Sequence, residues 1–140
     1  MSTYSNLLLA ALLLCLSGGC ANVKVDKPAK VDLSAYHSFY VVQQTDSELH
    51  TPIVDELQAL GHSATFGPRS SMPPGTDILV TYKHAWMWDI TMYLLEYEIQ
   101  FRRPDDEAIL ASGKSYRPSM QRKDPKFMAH EILAAMYAQK

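Results

Sequence analysis

The chain has 140 residues, of which 20% are charged and 47% hydrophobic, and carries a formal charge of -2. That length suits one domain, the composition excludes a disordered chain, and the near-neutral balance offers no basic field to hold a nucleic-acid backbone. Both cysteines, Cys15 and Cys20, lie near the start, so loss of the segment before Cys20 would leave a single thiol and no internal disulfide.

The first element is an apolar run from Leu7 to Leu16, followed by the small residues Ser17, Gly18 and Gly19 and then by Cys20. The run is shorter than the roughly 20 residues that cross a bilayer, but it fits the apolar region of a secretory signal with its cleavage zone. With a cysteine directly after the small residues, it resembles the bacterial lipoprotein signal, in which a peptidase cuts before a lipid-modified cysteine. The resemblance implies a leader over residues 1–19, an acylated Cys20, and a periplasmic domain over 20–140. Two positions depart from that signal: Ser17 stands where Leu is usual, and Met1 to Asn6 contains no Lys or Arg. An ordinary secretory signal and a buried helix are the alternatives. Asn22 is not Asp, which in the lipoprotein pattern favours the outer membrane.

Val23–Val25 alternates and predicts a short strand, and "SFYVV" (Ser38 to Val42) has the content of a buried one. In "TPIVDELQALG", Thr51 suits an N-cap, Pro52 the first helical position and Gly61 the C-terminal cap, with Ile53, Val54, Leu57 and Leu60 on one face. His62 to Phe66 predicts a strand and Gly67 to Gly75 a loop. "DILVTYKHAW" and "YLLEYEIQFR" follow as strands. In the second, Leu95, Tyr97, Ile99 and Phe101 point to a buried face, and Glu96, Glu98, Gln100 and Arg102 to a wet one. After a turn at Pro104–Asp106, Ala108 to Tyr116 returns, and Asp124-Pro125 opens a helix to about Tyr137 with Met128, Ile132, Leu133 and Met136 as its stripe. The expectation is an α+β fold: a twisted antiparallel or mixed sheet of five to six strands with two helices on one face.

These segments resemble the family of bacterial lipoproteins known as domain of unknown function 4136. "SAYHSFYVV", "LQALGH", "TDILVTY", "WMWDITMYL" and the last helix after "RKDP" carry the resemblance, from about Val23 to Tyr137. It implies a lipid-anchored periplasmic domain and supplies no catalytic residues.

The candidate motifs each have a plain reading. "GHSAT" nearly matches the nucleophile elbow, but Thr65 replaces the last glycine and the order is helix then strand, so Gly61 reads better as a helix cap. His37, His50, His62, His84 and His130 lack metal-ligand spacing, and no metal or cofactor is expected. Glu96 and Glu98 read as a solvated face rather than a glycosidase pair. Arg122, Lys123 and Lys126 read as solvated surface, with anionic polymers or headgroups as the functional alternative. "HAWMWDITMY" is the most unusual stretch. As a strand it sets Trp86 and Trp88 on one face, with His84 and Ile90, and Met87, Asp89, Thr91 and Tyr93 on the other. Either these bulky residues fill core, or Trp86, Trp88, Asp89 and Tyr93 mark a patch for a partner, an apolar ligand or lipid headgroups. The expected role is that of a non-catalytic interaction or envelope-assembly module, attached to the membrane through Cys20, with another envelope protein as partner and no nucleic acid. A binding module for a small apolar ligand, with a pocket between sheet and helices near Met128 and Met136, is the alternative. An envelope hydrolase is a further one.

Overall fold

The computed structural model describes residues 20–139. The expected leader over residues 1–19, with Cys15, lies outside the described residues. Six strands form one sheet: β1 (Asn22–Asp26), β2 (Ser38–Val42), β3 (Ser63–Gly67), β4 (Ile78–Asp89), β5 (Thr91–Arg102) and β6 (Ile109–Tyr116). Two helices, α1 (His50–Ala59) and α2 (Pro125–Ala138), complete the α+β fold. The strand order is β1-β6-β5-β4-β2-β3. The sheet is mixed: β1, β6, β5 and β4 pair antiparallel, while β2 runs parallel to β3, with α1 as the crossover, and to β4, because the segment 68–77 carries the chain back before β4.

Both helices cover one face. Ile53, Val54 and Leu57 of α1 and Met128, Ile132, Leu133 and Met136 of α2 meet Val80, Tyr97, Ile99 and Phe101 of the sheet in one buried cluster. At Gly113 the fit is close enough that a β-carbon would lie 2.7 Å from Ile132 Cγ2 and 2.9 Å from Met136 Cγ. Met128 and Met136 are themselves fully buried, so they fill the helix–sheet interface.

The helix ends differ in how far local chemistry decides them. Asp124 caps α2, its carboxylate accepting from the Phe127 N–H at 2.7 Å, with Pro125 in the first turn. Gly61, at φ 91, ends α1: its N–H donates to the Gln58 carbonyl and that of His62 to Leu57, the double bond of a Schellman motif. The start of α1 departs from expectation. Thr51 is not its N-cap; the helix begins at His50, and Leu49 precedes it with no side-chain cap. The tertiary structure sets this end: the Tyr97 hydroxyl donates to the Leu49 carbonyl, and buried His50 packs against Phe66 with tilted rings, centres 4.4 Å apart. Leu60, expected on the buried face, is 43% exposed because it stands past the last turn of α1.

Two corrections concern β5. A bulge shifts the register between Ala85 and Trp86, leaving Leu95 without a partner and putting Leu94 in the core in its place. Gln100, expected on the wet face, is buried. Its Oε1 accepts from Thr81 Oγ1 at 3.1 Å and Arg102 Nη2 at 2.7 Å, and its Nε2 donates to Glu98 at 2.6 Å. The loop after β3 lies against this face, where the Tyr40 hydroxyl donates to the Pro68 carbonyl.

Candidate functional site: an apolar hairpin tip beside Cys20

The candidate residues are placed by the lengths of the strands. β6 pairs with β5 only as far as Glu96, which faces Tyr116. β2 pairs with β4 only from Ile78 to Val80. Beyond these limits β4 and β5 continue as a two-stranded arm, with Trp86 opposite Leu94, Met87 opposite Tyr93, Trp88 opposite Met92 and Asp89 opposite Thr91. A two-stranded ribbon without neighbours cannot bury both faces. Hence Trp86 (43%), Met87 (46%), Trp88 (68%), Met92 (56%) and the turn residue Ile90 (85%) are exposed. The core-filling reading of these residues is overturned.

The two faces of the arm do different work. Trp86, Trp88 and Met92 lie on the helix side, past the starts of α1 and α2. An open cleft of about 390 Å³ lies there, lined by Leu49, Pro52, Trp86 and Pro125 together with Asp46–Glu48. Asp89 and Tyr93 lie on the opposite face and are engaged within the chain. Ser119 donates to the Asp89 carboxylate. Arg122 donates to the Asp89 carbonyl at 2.8 Å and to Thr91 Oγ1 at 2.6 Å, and its guanidinium sits 4.6 Å from the centre of the Tyr93 ring. The segment from Arg117 to Arg122 is therefore a strap along the free edge of the arm. It starts where the Arg117 N–H donates to the Leu95 carbonyl at 2.8 Å. Arg117 is in turn held by Glu131 of α2, Nε to Oε1 at 3.0 Å. The sequence-predicted patch thus divides: Trp86 and Trp88 are free, while Asp89 and Tyr93 are clamped to a strap that sequence reasoning missed. Arg122, read as solvated surface, is the clamp.

Cys20 is exposed and immediately precedes Ala21, whose N–H donates to Gln121 Oε1 of the strap at 2.7 Å. Asn22 faces Tyr116, so β1 begins at the end of the sheet from which the arm projects. Of the ten exposed large apolar side chains among the described residues, seven lie on the arm, on the strap or in the first turn of α2. Five are on the arm; Met120 of the strap, 95% exposed, and Phe127 in the first turn of α2 complete the set. Scattered apolar residues are ordinary on a protein surface, but this concentration is not.

The remaining candidates are dispersed. Ser63 is exposed at the start of β3, its N–H donating to the His37 carbonyl at 2.9 Å. Lys114 stands between Glu96, at 3.8 Å, and Glu98, at 4.0 Å. His130 meets Glu56 at 2.7 Å. Burial, with the nearby His37, holds the His62 imidazole below its ordinary pKa. Burial likewise pushes the Tyr97 and Tyr137 hydroxyls up, and the Tyr137 hydroxyl has no hydrogen-bond partner among the described residues. No group of three or more His, Cys, Asp or Glu gathers for a metal among the described residues. None of their helices is long and apolar enough to cross a membrane.

No family model matches the sequence, and no curated protein matches it. Solved structures do. PelC from Paraburkholderia phytofirmans, a dodecamer, superposes with a TM-score of 0.62 at 11% identity, over 84% of this chain and 99% of that one. A leucine-to-methionine variant of PelC from the same organism, also a dodecamer, gives 0.60 at 11% identity, over 82% and 96%. A protein of the DUF4136 family from Bacteroides thetaiotaomicron gives 0.53 at 7% identity, over 85% and 95%. The resemblance to the DUF4136 fold holds. At such identities the likeness is one of fold alone; the arm, the strap and Cys20 must be read from this chain.

Proposed function

We propose that this protein is a lipid-anchored module on the periplasmic face of the bacterial outer membrane, acylated at Cys20, that binds another envelope component and catalyses no reaction. The observation that carries the reading is the position of Cys20: directly after an apolar leader ending in small residues, exposed, and two residues ahead of β1. A thioether-linked lipid there meets no part of the core. Acyl chains contribute about 0.8 kcal/mol per buried methylene, so two or three of them hold a domain stably at a bilayer. Ala21, the second residue of a chain that starts at Cys20, is not Asp, and neither is Asn22 after it, which supports the outer membrane. The exposed arm supports an interaction role.

Intact-mass measurement on protein extracted gently from its own membranes tests this. The expected species starts at Cys20 and carries acyl chains; an unmodified Cys20, or a chain that keeps residues 1–19, defeats the reading. Native mass spectra of the same sample read out the partner, including assembly of copies of this chain such as the PelC dodecamers display.

A second reading, binding of a small apolar ligand, finds its support in the cleft beside Trp86; Met128 is packed in the core, while Met136 borders a smaller cavity of about 290 Å³ with Val31, Leu33 and Tyr137. It predicts a ligand that raises the melting temperature of the protein but not of a Trp86→Ala variant.

A further inference from the structure

We infer that the tip of the β4–β5 arm is a second membrane contact, and that Trp88, Ile90 and Met92 enter the lipid interface beside the acylated Cys20. The inference rests on the Cys20 reading above and specifies what the exposed arm touches.

The sheet register carries the argument. Asn22, Tyr116, Glu96 and Ala85 lie on one rung across four strands. From that rung Cys20 is two residues on and Ile90 is five residues on, toward the same side. At about 3.3 Å per residue the anchor stands roughly 7 Å past the rung and the tip roughly 16 Å. The sheet twist of about 20–25° per strand tilts the arm away from β1, so the difference of roughly 10 Å is a maximum. With the Cys20 glyceryl group at headgroup level, the tip reaches the depth of about 5–10 Å at which peripheral apolar elements lie.

The chemistry of the tip fits that depth. Trp is the side chain most suited to the headgroup boundary. Ile90 is 85% exposed at φ 64, a turn conformation that favours Gly or Asn and penalises a β-branched residue. Water gives no reason to keep isoleucine there; a hydrocarbon boundary does. The charges around the tip suit an anionic phospholipid surface. Lys123 and Lys126 flank the start of α2, and the Asp89 carboxylate is taken up by Ser119 with Arg122 3.6 Å away. Asp124 is occupied in capping α2, and Asp46 and Glu48 lie further back, beside Trp86.

The chain has two tryptophans, both on the arm, so its own fluorescence reports the contact. The test uses full-length protein purified from membranes, its Cys20 acylation checked by mass, in vesicles of phosphatidylethanolamine and phosphatidylglycerol with or without bromine on the acyl chains. Trp86→Phe leaves Trp88 as the reporter, and Trp88→Phe leaves Trp86. Brominated lipid should quench Trp88 at least twofold, with a blue-shifted emission, and quench Trp86 less; Ile90→Asn should weaken the quenching. Acylated, vesicle-bound protein whose Trp88 is unquenched overturns the inference and leaves the anchor standing; the tip then faces protein or water. Protein without acyl chains whose Trp88 is still quenched upholds the inference and defeats the Cys20 reading. Protein with neither acyl chains nor quenching overturns both.

Discussion

The β4–β5 and β5–β6 hairpins share β5, turn at opposite ends of the sheet, and each place a non-glycine residue in left-handed backbone: Ile90 at φ 64 and Glu107 at φ 59. The geometry is similar and the chemistry opposite. Glu107 is tied down by polar contacts: its carboxylate accepts from Arg69 Nε at 2.7 Å and its carbonyl from Arg102 Nη1 at 2.9 Å, while Arg103 meets Asp106 at 2.8 Å. Ile90 has an apolar side chain that nothing in the described chain covers. The backbone cost of such a position is of order 1–3 kcal/mol. At Glu107 the residue's own carboxylate and carbonyl make the bonds that offset it; at Ile90 only the neighbours Asp89 and Thr91 are held, by Arg122, and the Ile90 side chain makes no contact that repays its place. The difference separates an end built for water from an end built for an apolar surface.

Cutting the support of the apolar end should have the largest effect. Glu131 holds Arg117 at the root of the strap and accepts from the buried Ser115 hydroxyl. Glu131→Ala strands both groups, and since the ion pair is only partly exposed the loss should be about 2–3 kcal/mol in urea unfolding. Arg122→Ala comes next, at about 1–2 kcal/mol. It removes the bonds to Asp89 and Thr91 and the guanidinium over Tyr93, so amide exchange should rise over residues 87–93 and stay unchanged over 103–108. Equal loosening of both hairpins by Arg122→Ala would show that the strap does not act on the arm.

The two turns allow a direct comparison. Asn tolerates the left-handed region better than Ile or Glu. Ile90→Asn should therefore stabilise the protein in detergent-free solution by about 1 kcal/mol. Glu107→Asn gains the same relief but loses the ion pair to Arg69, which is half-exposed and contributes less than about 1 kcal/mol, so its net change should be close to zero. A destabilising Ile90→Asn would mean that Ile90 serves the fold, which would remove the reason for placing the tip in lipid.

The sequence exposed most of the frame. Period-two alternation marked β4, β5 and β6, and Gly61 and Asp124-Pro125 marked helix ends, because these signals act within a few residues of themselves. The start of α1 was not legible from Thr51, since Tyr97, distant in sequence, fixes it. Nor was the bulge at Leu95: strict alternation sets Leu95 in phase with Tyr97, Ile99 and Phe101, and a second leucine beside it gives no sign that the phase breaks there. In the site, the pattern divided Trp86 and Trp88 correctly from Asp89 and Tyr93. It could not tell that the arm outruns its neighbours, since burial there depends on where β2 and β6 stop pairing. The clamp left only a faint mark: a cation at Arg122 opposing the dipole of α2 has to find its partner elsewhere, and that partner is the arm.

The smallest effect belongs to the water-facing end and depends on pH. Asp77 joins β4 to β2 there: its Oδ2 accepts from the His37 N–H at 2.9 Å and the Ser38 N–H at 3.0 Å. These bonds, the one from His37 first, favour the ionised form and hold the carboxyl below its ordinary value of 3.8. A group depressed in the folded state contributes stability that is present above the unfolded pKa and lost as pH falls through the folded one. Asp77 is partly exposed, so solvent screening keeps the contribution below about 1 kcal/mol. Asp77→Asn should lower stability slightly at pH 7, and the gap to the unaltered protein should close as pH falls below 3.8. In Asp77→Asn at pH 7, amide exchange should rise at Ser38 and residue 77 with the arm unaffected, because the bonds of Asp77 run only to His37 and Ser38, far from the arm. Loosening of the arm in step with Asp77 would make the two ends one cooperative unit and deny the arm the independence that a membrane-facing element needs.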